Sequence, residues 1–159
     1  MIIYIFDLDD TLVKHKSLLS IDYNDYQPNI LFTRLLQRCP CDKKYIFTNG
    51  TDDHTDIILN NMNIIKEFNG IYTRTDNISM KPDIKSYTYV ENKIIENTYS
   101  ISNQYIFFDD QLPNLYIAKK YFHWKTIWIN DKFLDKPYYV DESYPNIFHA
   151  LLYKRSNKN

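Results

Sequence analysis

The sequence predicts an α/β fold: a doubly wound parallel sheet of about five strands, flanked by helices. Three observations lead there. Short apolar runs rich in β-branched and aromatic residues recur along the chain, each nearly continuous rather than alternating, as in strands covered on both faces. Segments with helical period lie between them, at intervals that suit strand–helix–strand units and right-handed crossovers. Polar and acidic residues gather where the apolar runs end.

The first expected strand is MIIYIF at 1–6 and the second is KYIFTN at 44–49. Between them, NILFTRLLQR brings Ile30, Leu31, Leu35 and Leu36 near one stripe behind Pro28, a residue suited to a helix's first turn. The core helix is therefore expected over 28–38. DHTDIILNNMNIIKEF at 53–68 opens with acidic residues, repeats Ile57, Ile58, Met62 and Ile65, and meets a helix stop at Asn69-Gly70. A third strand is expected in GIYTRT at 70–75, followed by a helix in PDIKSYTYVENKIIEN. The fourth and fifth strands, QYIFFDD at 104–110 and KTIWIN at 125–130, enclose the helix LPNLYIAKKYFHW, and a last helix is expected from Pro145 to about Tyr153. Residues 1–159 read as one domain, with 13–27 a flap or loop and 154–159 a disordered tail.

Composition narrows the possibilities. A chain of 159 residues with 44% apolar content can bury one sizeable core. Its formal net charge of -1 is made of interspersed acids and bases, which gives no reason to expect a polyanion or membrane-surface partner. The basic end KRSNK reads as a solvated tail. No apolar run approaches the roughly 20 residues needed to cross a bilayer, so a soluble, cytoplasmic protein is expected. Cys39 and Cys41 flank Pro40, a spacing too tight for an ordinary disulfide and short of a zinc set, and read as reduced structural thiols.

Chemistry concentrates at the strand ends, where open parallel sheets bind ligands. Strand one ends in Asp7-Leu8-Asp9, strand two in Thr48-Asn49-Gly50 and strand four in Asp109-Asp110, while Lys81-Pro82 precedes a helix. Crowded carboxylates repel one another and lose hydration, so a cation is expected among them. Mg²⁺ suits this set, because it takes oxygen ligands and is usually held by one or two carboxylates plus substrate phosphate. Asp7 and Asp110 are the expected ligands, with Asp109 close by. Asp7 would then attack phosphorus and form an aspartyl-phosphate. Asp9 would protonate the leaving oxygen and later activate water. Thr48 and nearby N–H groups would hold the phosphoryl oxygens, aided by the positive end of the following helix. Each piece alone has a plainer reading as a turn, a cap or a surface lysine. Their joint order along the chain favours chemistry.

FDLDDTL, FTNG, KP and FFDD resemble, in order, the four motifs of the haloacid dehalogenase superfamily of phosphohydrolases, over roughly residues 1–130. The resemblance implies Asp7 as nucleophile and Asp9 as general acid/base. It implies Thr48, Asn49 and Lys81 at the phosphate, and Asp109 or Asp110 on Mg²⁺ together with Asp7 and the main-chain carbonyl of Asp9. A carboxylate at Asp9 implies phosphate rather than carbon–halogen substrates. FTNGTDDHTDIILNNMNI, KPDIKSYTYV and IFFDDQLPNLYIAKKYFHWKTIWI are also similar to the pyrimidine 5'-nucleotidase branch, with His54, Asp110 and Asn114 at corresponding positions.

That branch carries a helical cap, whereas VKHKSLLSIDYNDYQ at 13–27 has room only for a flap. A minimal or missing cap implies a large substrate, a nucleic-acid end or a phosphoprotein, or a cap borrowed from another subunit in a homo-oligomer. Tyr23 and Tyr26, with Lys14, His15 and Lys16, would place aromatic and basic groups beside the phosphate. Phe122, Trp124 and Trp128 read as packing residues. The leading expectation is a Mg²⁺-dependent phosphatase, with nucleotides as one substrate class. An inactive binding module and a phosphotransferase are the alternatives.

Overall fold

A computed structural model of the chain describes residues 1–15, 21–76 and 79–156. Lys16 and residues 157–159 of the expected tail lie outside the described residues. The chain runs β1 (Ile2–Phe6), α1 (Ile30–Gln37), β2 (Lys43–Phe47), α2 (Asp52–Asn61), β3 (Gly70–Tyr72) and α3 (Ile84–Thr98), then β4 (Gln104–Asp109), α4 (Leu112–Phe122), β5 (Lys125–Ile129), β6 (Glu142–Tyr144) and α5 (Ile147–Ser156). The strands form one sheet in the order β3-β2-β1-β4-β5-β6, with every pairing parallel.

Alternation along β1 shows how the sheet is covered. Tyr4 and Phe6 enter the core shared with Phe32 and Leu36 of α1, Ile58 and Leu59 of α2, and Ala150 and Leu151 of α5. Ile3 and Ile5 enter the opposite core, against Tyr87, Val90 and Ile94 of α3 and Leu115 and Ala118 of α4. Helices therefore lie on both faces, and β1, at the centre, is buried on each. Trp124 and Trp128 are buried in the second core and Phe122 packs against it, as expected of packing residues.

Several expected boundaries are corrected. The sheet has a sixth strand, Glu142–Tyr144, whose polar sequence carries no apolar run; Glu142 is held there by Lys125 and Lys154. Pro28 lies outside the first helix, because Asn29 is its N-cap and accepts from the Leu31 and Phe32 N–H groups. The second helix ends at Asn61 rather than at Phe68. Asn63 adopts a left-handed φ of 55°, which breaks the helix and lets Ile64 turn into the core. The last helix extends to Ser156, so 154–156 are ordered helix and not tail. Between β1 and α1 the described residues contain one 3-10 turn, Tyr23–Asp25, and no helical cap. No disulfide joins Cys39 and Cys41, and among the described residues no helix is long and apolar enough to cross a membrane.

Candidate active site

The carboxyl ends of the central strands open into a cavity of about 450 Å³ lined by Asp7, Asp9, Thr48, His54, Lys81 and Asp110, among others. Asp7 is seated by the last bond between β1 and β4, its N–H donating to the Phe108 carbonyl at 2.9 Å. Lys81 arrives from the segment before α3 and is positioned by Asn49. The Asn49 side-chain oxygen accepts the Lys81 N–H at 2.9 Å, and its amide donates to the Lys81 carbonyl at 3.0 Å. Asn49 lines the cavity as well, and one of its two amide N–H groups is engaged by Lys81.

The Lys81 ammonium is buried, and all three of its protons find acceptors. Nζ donates to Asp7 Oδ1 at 2.7 Å, to Asp109 Oδ2 at 2.8 Å and to the Phe47 carbonyl at 2.8 Å. Its side of the site is closed by the Phe47 and Phe107 rings, with centroids 5.0 and 5.3 Å away. Contact with a phosphate would require Lys81 to exchange one of these bonds. Its first role here is to bridge two carboxylates and to leave Asp7 Oδ2 for the cavity.

Asp109 and Asp110 separate by environment. Asp109 is fully buried; Asn114 Nδ2 donates to both its oxygens at 3.0 Å, and the Gln111 N–H donates to Oδ1 at 2.8 Å. Asp110 is half-buried, lines the cavity and accepts from Thr11 Oγ1 at 3.4 Å and from Gln111 Nε2. The Trp128 indole N–H anchors the Asp110 carbonyl at 2.8 Å. Ligand oxygens of Asp7, Asp109 and Asp110 all lie within 4.8 Å of one another. Three carboxyl groups therefore crowd together around one ammonium that bonds only two of them. Burial, reinforced by Asp109 and Asp110 and opposed by Lys81, pushes Asp7 up to about 8 from 3.8. Burial and then the Asp109 charge push Asp110 up to about 6. For Lys81, burial acts to lower the pKa, but Asp109 and Asp7 outweigh it and hold the ammonium above its ordinary value. The shortage of positive charge and the all-oxygen donor set fit a hard divalent cation.

Thr48 lies on the opposite wall. It is buried, and its Oγ1 accepts the Gly50 N–H at 2.9 Å. Gly50 is confined by close approach: a Cβ there would lie 3.0 Å from His54 Cδ2 and 3.3 Å from Thr48 Oγ1. Gly50 and the α2 cap Thr51 line the cavity, which sets the positive end of α2 toward it.

Asp9 faces the cavity from a tight turn in which Asp10 takes a left-handed φ of 57°, a conformation aspartate tolerates. Its Oδ1 meets His15 Nε2 at 2.6 Å and His54 Nε2 at 2.7 Å. Its carboxylate thus belongs to a histidine cluster and not to the Asp7–Asp109–Asp110 group. Neither flap tyrosine lines the cavity: Tyr26 is buried with its hydroxyl on His15 Nδ1, and Tyr23, partly buried, places its hydroxyl 3.0 Å from His54 Nδ1. Lys14 turns away to Asp131 at 3.7 Å.

Sequence reasoning missed Thr11, Gln111 and Arg74. Thr11 lies inside the first motif, and Gln111 directly follows the paired acids. Arg74, exposed on the cavity rim, lies within a run expected as strand and carries no local signal.

No family model and no curated protein matches this sequence. Solved structures do match in fold. L-2-haloacid dehalogenase from Xanthobacter autotrophicus, with chloropropionic acid covalently bound, superposes with a TM-score of 0.61 at 16% identity, over 85% of this chain and 64% of that one. YfnB from Bacillus subtilis, bound to magnesium, gives 0.62 at 19% identity over 78% and 52%. A HAD phosphatase from Thermococcus onnurineus gives 0.58 at 20% identity over 82% and 63%. This chain therefore covers between about half and two thirds of the length of these structures. With its parallel six-stranded sheet and helices on both faces, the chain has the fold of the haloacid dehalogenase-type hydrolases.

Proposed function

We propose that this chain is a Mg²⁺-dependent phosphomonoesterase that works through an aspartyl-phosphate on Asp7. One observation carries the reading: a buried carboxylate held through one oxygen by Lys81, beside Asp109 and Asp110, with Asp9 on the same cavity. Asp7 and Asp110 are the residues that would hold Mg²⁺, with Asp109 behind them and, by the resemblance, the Asp9 carbonyl. The ion would supply positive charge to the phosphoryl oxygens and to Asp7.

In the first step, Asp7 Oδ2 bonds to phosphorus as the bond from phosphorus to the leaving oxygen breaks, and Asp9 gives that oxygen its proton. In the second, Asp9 takes a proton from water, the water oxygen bonds to phosphorus, and the bond to Asp7 breaks to release phosphate. Lys81 and Asn49 fix the nucleophile, while Thr48 and the start of α2 receive the phosphoryl oxygens. The Asp9 carboxylate supports phosphate over carbon–halogen chemistry.

For the substrate, the resemblance supports nucleotides. The absence of a covering helical domain among the described residues, with Arg74 at the rim, supports a phosphate on a larger anion such as a nucleic-acid end. Phosphate release is the test, measured over nucleoside monophosphates, phosphorylated oligonucleotides, phosphopeptides and sugar phosphates, with and without Mg²⁺. Asp7→Asn should abolish turnover of an aryl phosphate and keep the fold. Retained turnover would remove Asp7 as nucleophile.

A further inference from the structure

Asp9 lies at the middle of a five-residue chain of contacts that the phosphatase reading does not require. His15 comes from the loop after β1, and His54 from the first turn of α2, where Thr51 caps its N–H. Both rings point Nε2 at the same Asp9 oxygen, at 2.6 and 2.7 Å, with ring centroids 6.1 Å apart. The outer nitrogen of each ring is held as well: Tyr26 OH meets His15 Nδ1, and Tyr23 OH meets His54 Nδ1 at 3.0 Å. Each imidazole is thereby fixed at both nitrogens, with the inner one facing a carboxylate.

We propose that Asp9, His15 and His54 form a second cation site, selective for a zinc-like ion and chemically distinct from the neighbouring carboxylate site. Two imidazoles and one carboxylate are a borderline donor set that suits Zn²⁺, whereas Asp7, Asp109 and Asp110 offer only hard oxygens. The three ligand atoms lie within 4.8 Å of one another. Zinc bonds of about 2.0–2.1 Å place tetrahedral ligands about 3.3 Å apart, so each histidine need move less than about 1 Å away from the Asp9 oxygen it now meets at 2.6 or 2.7 Å. The tyrosines provide the outer contacts that metal-bound histidines usually have. To bind, each ring must present a bare Nε2 to the ion, and a proton on Nδ1 can then be donated to the tyrosine oxygen beside it. All three ligands line the 450 Å³ cavity, which leaves the fourth coordination position open to it.

One consequence rests on the phosphatase reading: zinc on Asp9 withdraws the carboxylate from proton transfer and switches turnover off. Binding itself does not rest on that reading, so the two can fail separately.

The test titrates the full-length protein with Co²⁺ in saturating Mg²⁺. About one equivalent should produce the intense visible absorption of tetrahedral, imidazole-bound cobalt, and Zn²⁺ should displace it. His15→Gln and His54→Gln should each lose that band, while Asp7→Asn keeps it. Only the weak spectrum of octahedral cobalt in the native protein overturns the site, whatever the variants do; a band unchanged in both histidine variants overturns it equally. For the consequence, stoichiometric Zn²⁺ should inhibit aryl-phosphate turnover at least tenfold. An intact cobalt band without inhibition overturns the switch.

Discussion

Replacing Lys81 with methionine isolates what the buried ammonium contributes. Methionine is close in length and keeps the packing between the Phe47 and Phe107 rings. The loss is therefore electrostatic: Asp7 and Asp109 forfeit bonds of 2.7 and 2.8 Å, and Asp110 stands nearby with no cation between them. Removing one partner of a buried pair costs about 3–5 kcal/mol. At about 2–4 °C per kcal/mol for a domain of this size, the metal-free variant should melt roughly 6–20 °C below the native protein near pH 8. The sign with pH follows from Asp7, whose folded pKa of about 8 exceeds its ordinary 3.8. Such a group stabilises the fold fully below its unfolded pKa, and that contribution is lost as pH rises through about 8. Without Lys81 the carboxyl is pushed up further, so acidification should narrow the gap between variant and native protein. Thermal melts in chelator near pH 5 and pH 8 measure both effects. A variant melting within about 2 °C of native near pH 8, or a gap that widens on acidification, would refute the argument.

Asp9→Asn should lower aryl-phosphate turnover by about 10²–10⁴-fold, visible as a loss in kcat under saturating Mg²⁺. Mg²⁺ should raise the melting temperature more near pH 8 than near pH 5, because protons compete with it at Asp7 and Asp110; equal shifts at both, or a shift kept by Asp110→Asn, would contradict the ligand assignment. Gly70→Ala puts a Cβ 3.0 Å from Tyr45 Cδ1 and 3.1 Å from Cε1, and should cost about 1–3 kcal/mol in urea unfolding without altering the site.

The strands that could be read in the sequence are those whose burial on both faces left continuous apolar runs, such as YIF at 45–47 and FF at 107–108. Glu142–Tyr144 escaped that reading because the pairing of Glu142 with Lys125 and Lys154 holds an edge strand by charge rather than by apolar content. Asp7, Lys81, Asp109 and Asp110 were legible as a set because parallel strands deliver their carboxyl ends to one crevice. Their division of labour was not. That Asn49 holds Lys81, that Asn114 saturates Asp109, and that Asp110 is left facing the cavity depends on side-chain directions that spacing does not encode. The ties from His15 to Asp9 and Tyr26 were equally out of reach, since a loop histidine has no periodicity to betray its partner.

The central position of β1 sets the order in which this machine comes into being. Ile2 pairs with Gln104 and Phe6 with Phe108, so the strand made first waits for one made about a hundred residues later. At a synthesis rate of about 5–20 residues per second, that wait is roughly 5–20 s. Until β4 leaves the ribosome, Asp7 has neither the backbone bond that seats it nor the acids that complete its surroundings. Turnover should therefore report on complete sheet assembly, and a nascent chain halted before β4 should be inert.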